Sequence, residues 1–184
     1  VVGYSMGARL ALVLALEHPA HVERLVLESP SPGIADPADR AARREADDRL
    51  AQSIERDGVE AFVARWEAMP VFASHAGLPD AVLERQRSER RRHSVAGLAG
   101  SLRGAGQGVM TPLHARLPAI RVPALVVTGS LDETGRERAS IVARGLSDGR
   151  RATIDGAGHT PHLEQPDEFL RVTNEFLSAS HVTA

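Results

Sequence analysis

Val1-Val2-Gly3-Tyr4-Ser5-Met6-Gly7 reads as the end of a strand running into G-x-S-x-G, and the apolar stretch from Leu10 to Leu16 carries on from it as a helix. A serine on so tight a strand-to-helix turn presents its hydroxyl at the end of a sheet. Both glycines, Gly3 and Gly7, are expected to remove Cβ atoms that would clash as the backbone reverses. Ser5 is then a candidate nucleophile or base, and the backbone N–H of Met6, directly after it, a candidate oxyanion donor. The plainer alternative makes Ser5 a small residue in a turn, since chance supplies such a pattern roughly once in twenty chains of this length. A strand carrying an active serine needs earlier strands beside it, and no residue or initiator methionine precedes Val1. The sequence is therefore expected to be the C-terminal part of a longer protein, inactive by itself, with an upstream fusion partner left open.

The pattern continues outward as α/β alternation. Arg24 to Ser29 reads as a short buried strand closed by Pro30-Ser31-Pro32-Gly33, and the helix before it makes the two strands parallel. Asp36-Pro37 supplies an N-cap and a first-turn proline for a polar helix ending at Gly58. Further helices are expected from Val59 to Met69, Pro79 to His93 and Ser94 to Leu102, with no strand pattern anywhere between Ala35 and Arg116. Alternation resumes with the apolar run Pro123 to Gly129, suited to a strand covered on both faces. A helix from Arg136 to Leu146, a strand at Arg151 to Asp155 and a closing helix from Leu163 to Ser178 follow, the last turning Phe169, Leu170, Val172, Phe176 and Leu177 inward. The predicted architecture is α/β: a parallel half-sheet with flanking helices, its four strands consecutive neighbours, interrupted by an all-helical insertion. Residues 1–34 and 117–184 form the core and 35–116 the insertion.

Composition narrows the classes. At 184 residues and 42% hydrophobic, the chain has apolar material for one core, and no run approaches the ~18 residues a membrane span needs. It has no cysteine, which excludes a thiolate nucleophile and fits a reducing, cytoplasmic setting. A net charge of -2 and 3% aromatic residues give no reason to expect nucleic acid or an anionic membrane as partner. All 22 basic residues are arginine, so only the position of an arginine carries information.

Two further groups fall where a serine would need them. Asp132 lies three residues beyond the strand ending at Gly129, and His159 follows the last strand in Gly156-Ala157-Gly158-His159. A serine hydroxyl is a poor base alone; an imidazole must take its proton, and a carboxylate must hold that imidazole in the right tautomer. Glu133 competes with Asp132, and His162 with His159. His159-x-x-His162 also suggests a metal pair, but Pro161 and the glycine turn argue against helical spacing and no third ligand is near, so neither metal nor cofactor is expected. His18, His21, His75, His93, His114 and His181 read as solvated.

Several segments carry a narrower likeness. Gly3-Tyr4-Ser5-Met6-Gly7-Ala8-Arg9-Leu10-Ala11-Leu12, Glu28-Ser29-Pro30-Ser31-Pro32-Gly33, Trp66-Glu67 with Pro70-Val71-Phe72, Ser101-Leu102-Arg103-Gly104 and Gly158-His159-Thr160-Pro161-His162-Leu163-Glu164 resemble the 2-succinyl-6-hydroxy-2,4-cyclohexadiene-1-carboxylate synthase family of menaquinone synthesis. The resemblance spans nearly the whole chain. It implies an α/β-hydrolase fold with a helical cap, and a lyase that eliminates pyruvate from an enolpyruvyl cyclohexene tricarboxylate, Ser5 activated by His159 removing a ring proton. It also implies that Arg9, Arg43 and Arg87 bind substrate carboxylates while Tyr4 and Trp66 line the pocket. Forked guanidinium donors suit such a polyanion. A solvated helix face is the alternative for Arg43 and Arg87, given Arg44, Arg85 and Arg90 beside them. Another α/β-hydrolase, such as a carboxylesterase or carbon–carbon bond hydrolase, and a non-catalytic remnant remain open. Ala8 stands where the family usually carries a second glycine.

Overall fold

The computed structural model describes residues 1–179, so His181 lies outside the described residues. Its strands are β1 (Val2–Tyr4), β2 (Leu25–Glu28), β3 (Ala124–Gly129) and β4 (Gly149–Ile154), and its helices α1 (Met6–Glu17), α2 (Pro37–Glu67), α3 (Asp80–Arg91), α4 (Val95–Ala105), α5 (Glu133–Gly145), α6 (Pro161–Glu164) and α7 (Pro166–Ser178). Among the described residues the four strands form one sheet in chain order, every pair parallel, with Tyr4 opposite Glu28 and Glu28 opposite Val127. The chain divides into two compact units, one comprising Val1–Pro32 and the residues from His114 onward, the other Gly33–Leu113. The architecture is α/β, a parallel four-stranded sheet with helices and an all-helical insertion between β2 and β3. No helix among the described residues is long and apolar enough to cross a membrane.

In the first unit, β2 and β3 are buried along their whole length, as the continuous apolar runs require. Helix α1 buries Ala8, Ala11, Leu12 and Ala15, the spacing of one helical face. Ala8 is already helical and fully buried. On one sheet face Val26, Leu125, Val127 and Ile154 pack with Phe169 and Phe176 of α7. The closing segment is two helices, because Pro166 starts a new one after Gln165. That phase turns Phe169, Thr173 and Phe176 inward and leaves Leu170 54% and Leu177 41% exposed. The inward placement expected for those two leucines is thereby corrected. Arg24 and Arg150 cover the Phe176 ring, their guanidinium carbons 5.9 and 6.0 Å from its centroid.

In the second unit, Asp36 caps α2 by accepting the Asp39 N–H at 2.9 Å. The α2 segment breaks at Gly58, whose φ of 81° and ψ of 177° belong to glycine alone. Past the break, Phe62 and Val63 pack on Ile54, with Val59, Trp66, Val95, Leu98 and Leu102 around them. His75 here, and His114 in the first unit, are half-buried rather than solvated, His75 because its ring packs on Phe72 at 5.0 Å.

Candidate active site

The site grows from the β1–α1 turn. Ser5 has φ 49° and ψ −106°, a conformation that costs a non-glycine residue about 1–3 kcal/mol. Its N–H donates to the Glu28 carbonyl at 2.8 Å, and its own carbonyl accepts the Arg9 N–H at 3.2 Å. The two flanking glycines do different work. A Cβ on Gly3 would meet the Gly7 carbonyl oxygen at 2.5 Å and its carbon at 2.6 Å, whereas a Cβ on Gly7 would meet nothing within 4 Å. The shared task expected of them is therefore corrected: Gly3 yields space to the backbone of Gly7. Met6 is the first residue of α1, where intrahelical bonding leaves the N–H unpaired.

Asp132 and His159 arrive from the ends of β3 and β4. Asp132 Oδ2 lies 2.6 Å from His159 Nδ1, and His159 Nε2 lies 3.1 Å from Ser5 Oγ. A carboxylate only accepts, so Nδ1 carries the proton and Nε2 faces the serine as an acceptor. Helix α5 begins at Glu133 rather than Arg136 because Asp132 is its N-cap, Oδ1 accepting the Gly135 N–H at 2.8 Å. Gly135 is required there, since a Cβ would strike the Asp132 carboxylate. Burial pushes the Asp132 carboxyl up, but hydrogen bonds from His159 and the Gly135 N–H, with the charges of His159 and Arg138, outweigh it and hold the group below its ordinary value. Glu133 is exposed in the first turn of α5.

The remaining sequence candidates divide between the units. Tyr4 sets its ring edge-on to His159 at 5.5 Å and to His162 at 5.2 Å. Arg9, on α1, is only 7% exposed. Arg43, Trp66 and Arg87 belong to the second unit and have partners there. Arg43 Nε donates to Asp47 at 2.7 Å, and Trp66 packs between Phe62 and Phe72 at 5.4 and 5.8 Å. Arg87 donates through Nε and Nη2 to Glu67 and through Nη1 to Glu84; these hydrogen bonds to carboxylates, the one to Glu67 foremost, hold its guanidinium more firmly charged.

Sequence reasoning missed the residues that hold the histidine loop. Glu164 accepts the Gly158 N–H at 2.7 Å, the Thr160 N–H at 3.0 Å and the Thr160 hydroxyl at 2.7 Å. Ser29 Oγ donates to the His159 carbonyl at 2.9 Å, and Glu28 accepts from the His162 ring at 2.8 Å. His159 and His162 thus each have a carboxylate of their own. One signal was available: Glu28 ends the apolar run Leu25-Val26-Leu27, and a carboxylate at the end of a buried strand needs a partner.

A family profile described as the alpha/beta hydrolase fold matches residues 1–166. A putative 2-succinyl-6-hydroxy-2,4-cyclohexadiene-1-carboxylate synthase of Bacillus subtilis is 42% identical over 179 residues, covering 97% of this chain and 65% of that protein. The synthase of that name from Klebsiella pneumoniae is 31% identical over 179 residues, covering 97% of this chain and 68% of its own length. The chain thus spans about two thirds of these relatives. Among solved structures, MenH from S. aureus superposes with a TM-score of 0.93 at 38% identity, over 96% of this chain and 66% of that one. A thermophilic esterase from Thermogutta terrifontis gives 0.82 at 24% identity over 96% and 63%, a likeness of fold alone.

Proposed function

Because the chain belongs to the α/β-hydrolase fold family, and within it to the 2-succinyl-6-hydroxy-2,4-cyclohexadiene-1-carboxylate synthases, we propose that the protein is a cytoplasmic lyase of menaquinone synthesis. It eliminates pyruvate from 2-succinyl-5-enolpyruvyl-6-hydroxy-3-cyclohexene-1-carboxylate. His159 Nε2 takes the hydroxyl proton of Ser5 as Ser5 Oγ removes a proton from the ring. The C2–H electron pair becomes the C2=C3 double bond, the existing C3=C4 double bond shifts to C4=C5, and the C5–oxygen bond to the enolpyruvyl group breaks. Pyruvate leaves as its enolate and takes up a proton. Asp132 holds the imidazole in its working tautomer and stabilises its charge. The Met6 N–H supplies hydrogen bonding to negative charge developing beside the turn. Proton abstraction followed by elimination moves no electrons to an outside acceptor, so the chemistry calls for no redox cofactor.

The observation that carries this reading is the unbroken contact from Asp132 through His159 to Ser5, 2.6 and 3.1 Å, set at the ends of parallel strands. The substrate is a small polyanion, and Arg9, buried one helical turn from Ser5, is a donor for one of its carboxylates. Within the second unit, Arg43 and Arg87 are further candidate carboxylate donors and Trp66 a candidate substrate contact; in the first, Tyr4 lies against His159. Arg87 would exchange a carboxylate it already holds for one of the substrate, a swap of like partners that avoids leaving a bare cation. Assaying the full-length protein for pyruvate release from the enolpyruvyl substrate beside hydrolysis of a p-nitrophenyl ester tests the proposal. Pyruvate release with little ester turnover is expected; ester hydrolysis without pyruvate release overturns it.

A further inference from the structure

We propose that Glu28 and Ser29, at the C-terminal end of β2, position Ser5 and His159 against each other, with His162 as the tether. The inference rests on the reading of Ser5 and His159 as the reacting pair. Both halves of that pair are bound to the same two residues. The Glu28 carbonyl accepts the Ser5 N–H at 2.8 Å, on the nucleophile side. On the histidine side, Ser29 Oγ donates to the His159 carbonyl at 2.9 Å. Three residues further, Glu28 Oε1 accepts both the His162 N–H at 3.0 Å and the His162 ring Nδ1–H at 2.8 Å. Tyr4 closes the circuit, its ring against both His159 and His162.

The placement of the carboxylate is costly for stability alone. Glu28 is 2% exposed, and an apolar residue of similar volume at a buried ionic position is often as stable or more so. What an apolar residue could not provide is a fixed anchor for the two N–H groups of His162, in α6 just beyond His159. Ser29 is likewise held out of the ordinary backbone range, with φ 47°, while its N–H stays in the sheet on the Val127 carbonyl at 2.8 Å. That conformation aims its hydroxyl across at the His159 backbone. The β2 end therefore sets the 3.1 Å separation of Ser5 Oγ and His159 Nε2, although neither of its side chains touches a reacting atom.

The test reads Ser5 activation independently of the natural substrate. On the full-length protein, a fluorophosphonate probe forms a phosphorus–oxygen bond to Ser5 Oγ, expels fluoride and passes the serine proton to His159; Ser5→Ala is the blank. Labelling is expected to slow roughly 10- to 100-fold in Glu28→Ala and His162→Ala, the scale of a misplacement of about 1 Å. Ser29→Ala slows in the same direction. Glu28→Gln recovers most of the lost rate, because an amide oxygen accepts the same two N–H groups. In the pyruvate assay the same variants lower kcat per active site, with sites counted by probe labelling run to completion; a general loss of stability would instead lower the number of labelled sites. Variants that unfold cooperatively and label at the wild-type rate overturn the proposal, and if Glu28→Ala fails to fold, His162→Ala and Ser29→Ala decide. Should the wild type label but release no pyruvate, the proposed reaction fails while slowed labelling still upholds the positioning role.

Discussion

At the residue scale, Asp132 performs two tasks with its two oxygens. Oδ1 starts α5 and Oδ2 orients His159, so the helix and the imidazole are fixed by one carboxylate. Replacing it by asparagine removes the charge and offers His159 the wrong tautomer, and the analogous change in a serine protease lowers kcat about 10⁴-fold. A comparable fall in pyruvate release is expected for Asp132→Asn. The same group links activity to stability. Its carboxyl in the folded protein is held below the ordinary value of 3.8. A depressed carboxyl contributes stability that is fully present above its unfolded value and is lost as pH falls through the lower folded one. The stability difference between wild type and Asp132→Asn is therefore expected to be constant near neutrality and to shrink below about pH 4. Urea unfolding between pH 7 and pH 3 measures it; a difference that widens on acidification would contradict the assignment.

At the scale of elements, the sequence was most legible where one local rule decided the outcome. The apolar run at Ala124–Gly129, the proline-led start of α2 and the break at Gly58 follow from burial, capping and backbone freedom. Where long-range contacts decided, local reading fell short. The start of α5 is hidden from local reading because one side chain, Asp132, both caps the helix and faces His159. Leu170 and Leu177 were turned inward because a single helix was assumed across Gln165-Pro166, and the break at Pro166 sets the phase instead. Asp132 and His159 were found from their places after strands, but Glu28 and Ser29 were not, since their partners lie more than a hundred residues away. The serine turn shows the same limit, as its motif treats two glycines alike. Gly3→Ala drives a methyl into the Gly7 backbone and is expected to cost about 1–3 kcal/mol or more, the range of overpacking. Gly7→Ala meets no neighbour and adds a better helix former, worth up to ~1 kcal/mol in favour of folding. Thermal unfolding of the two variants checks this, and equal losses would show that the space around Gly7 has been misjudged.

At the scale of the whole molecule, the candidate residues fall into two sets, one in each unit. The sheet unit carries Tyr4, Ser5, Met6, Arg9, Asp132 and His159, and the helical unit carries Arg43, Trp66 and Arg87. Parallel strands suit the first set, because consecutive strands deliver their C-terminal loops to one end of the sheet. Helices suit the second, because they present arginines at spacings where a carboxylate one turn away holds each in place, as Asp47 holds Arg43 and Glu84 holds Arg87. The account stands or falls on what the serine does. Pyruvate release from substrate carrying deuterium at the abstracted ring position measures it most directly. The account predicts release slowed by deuterium in the wild type and abolished to background in Ser5→Ala. Release that persists in Ser5→Ala with the same isotope sensitivity would contradict it, because another group would then be taking the proton.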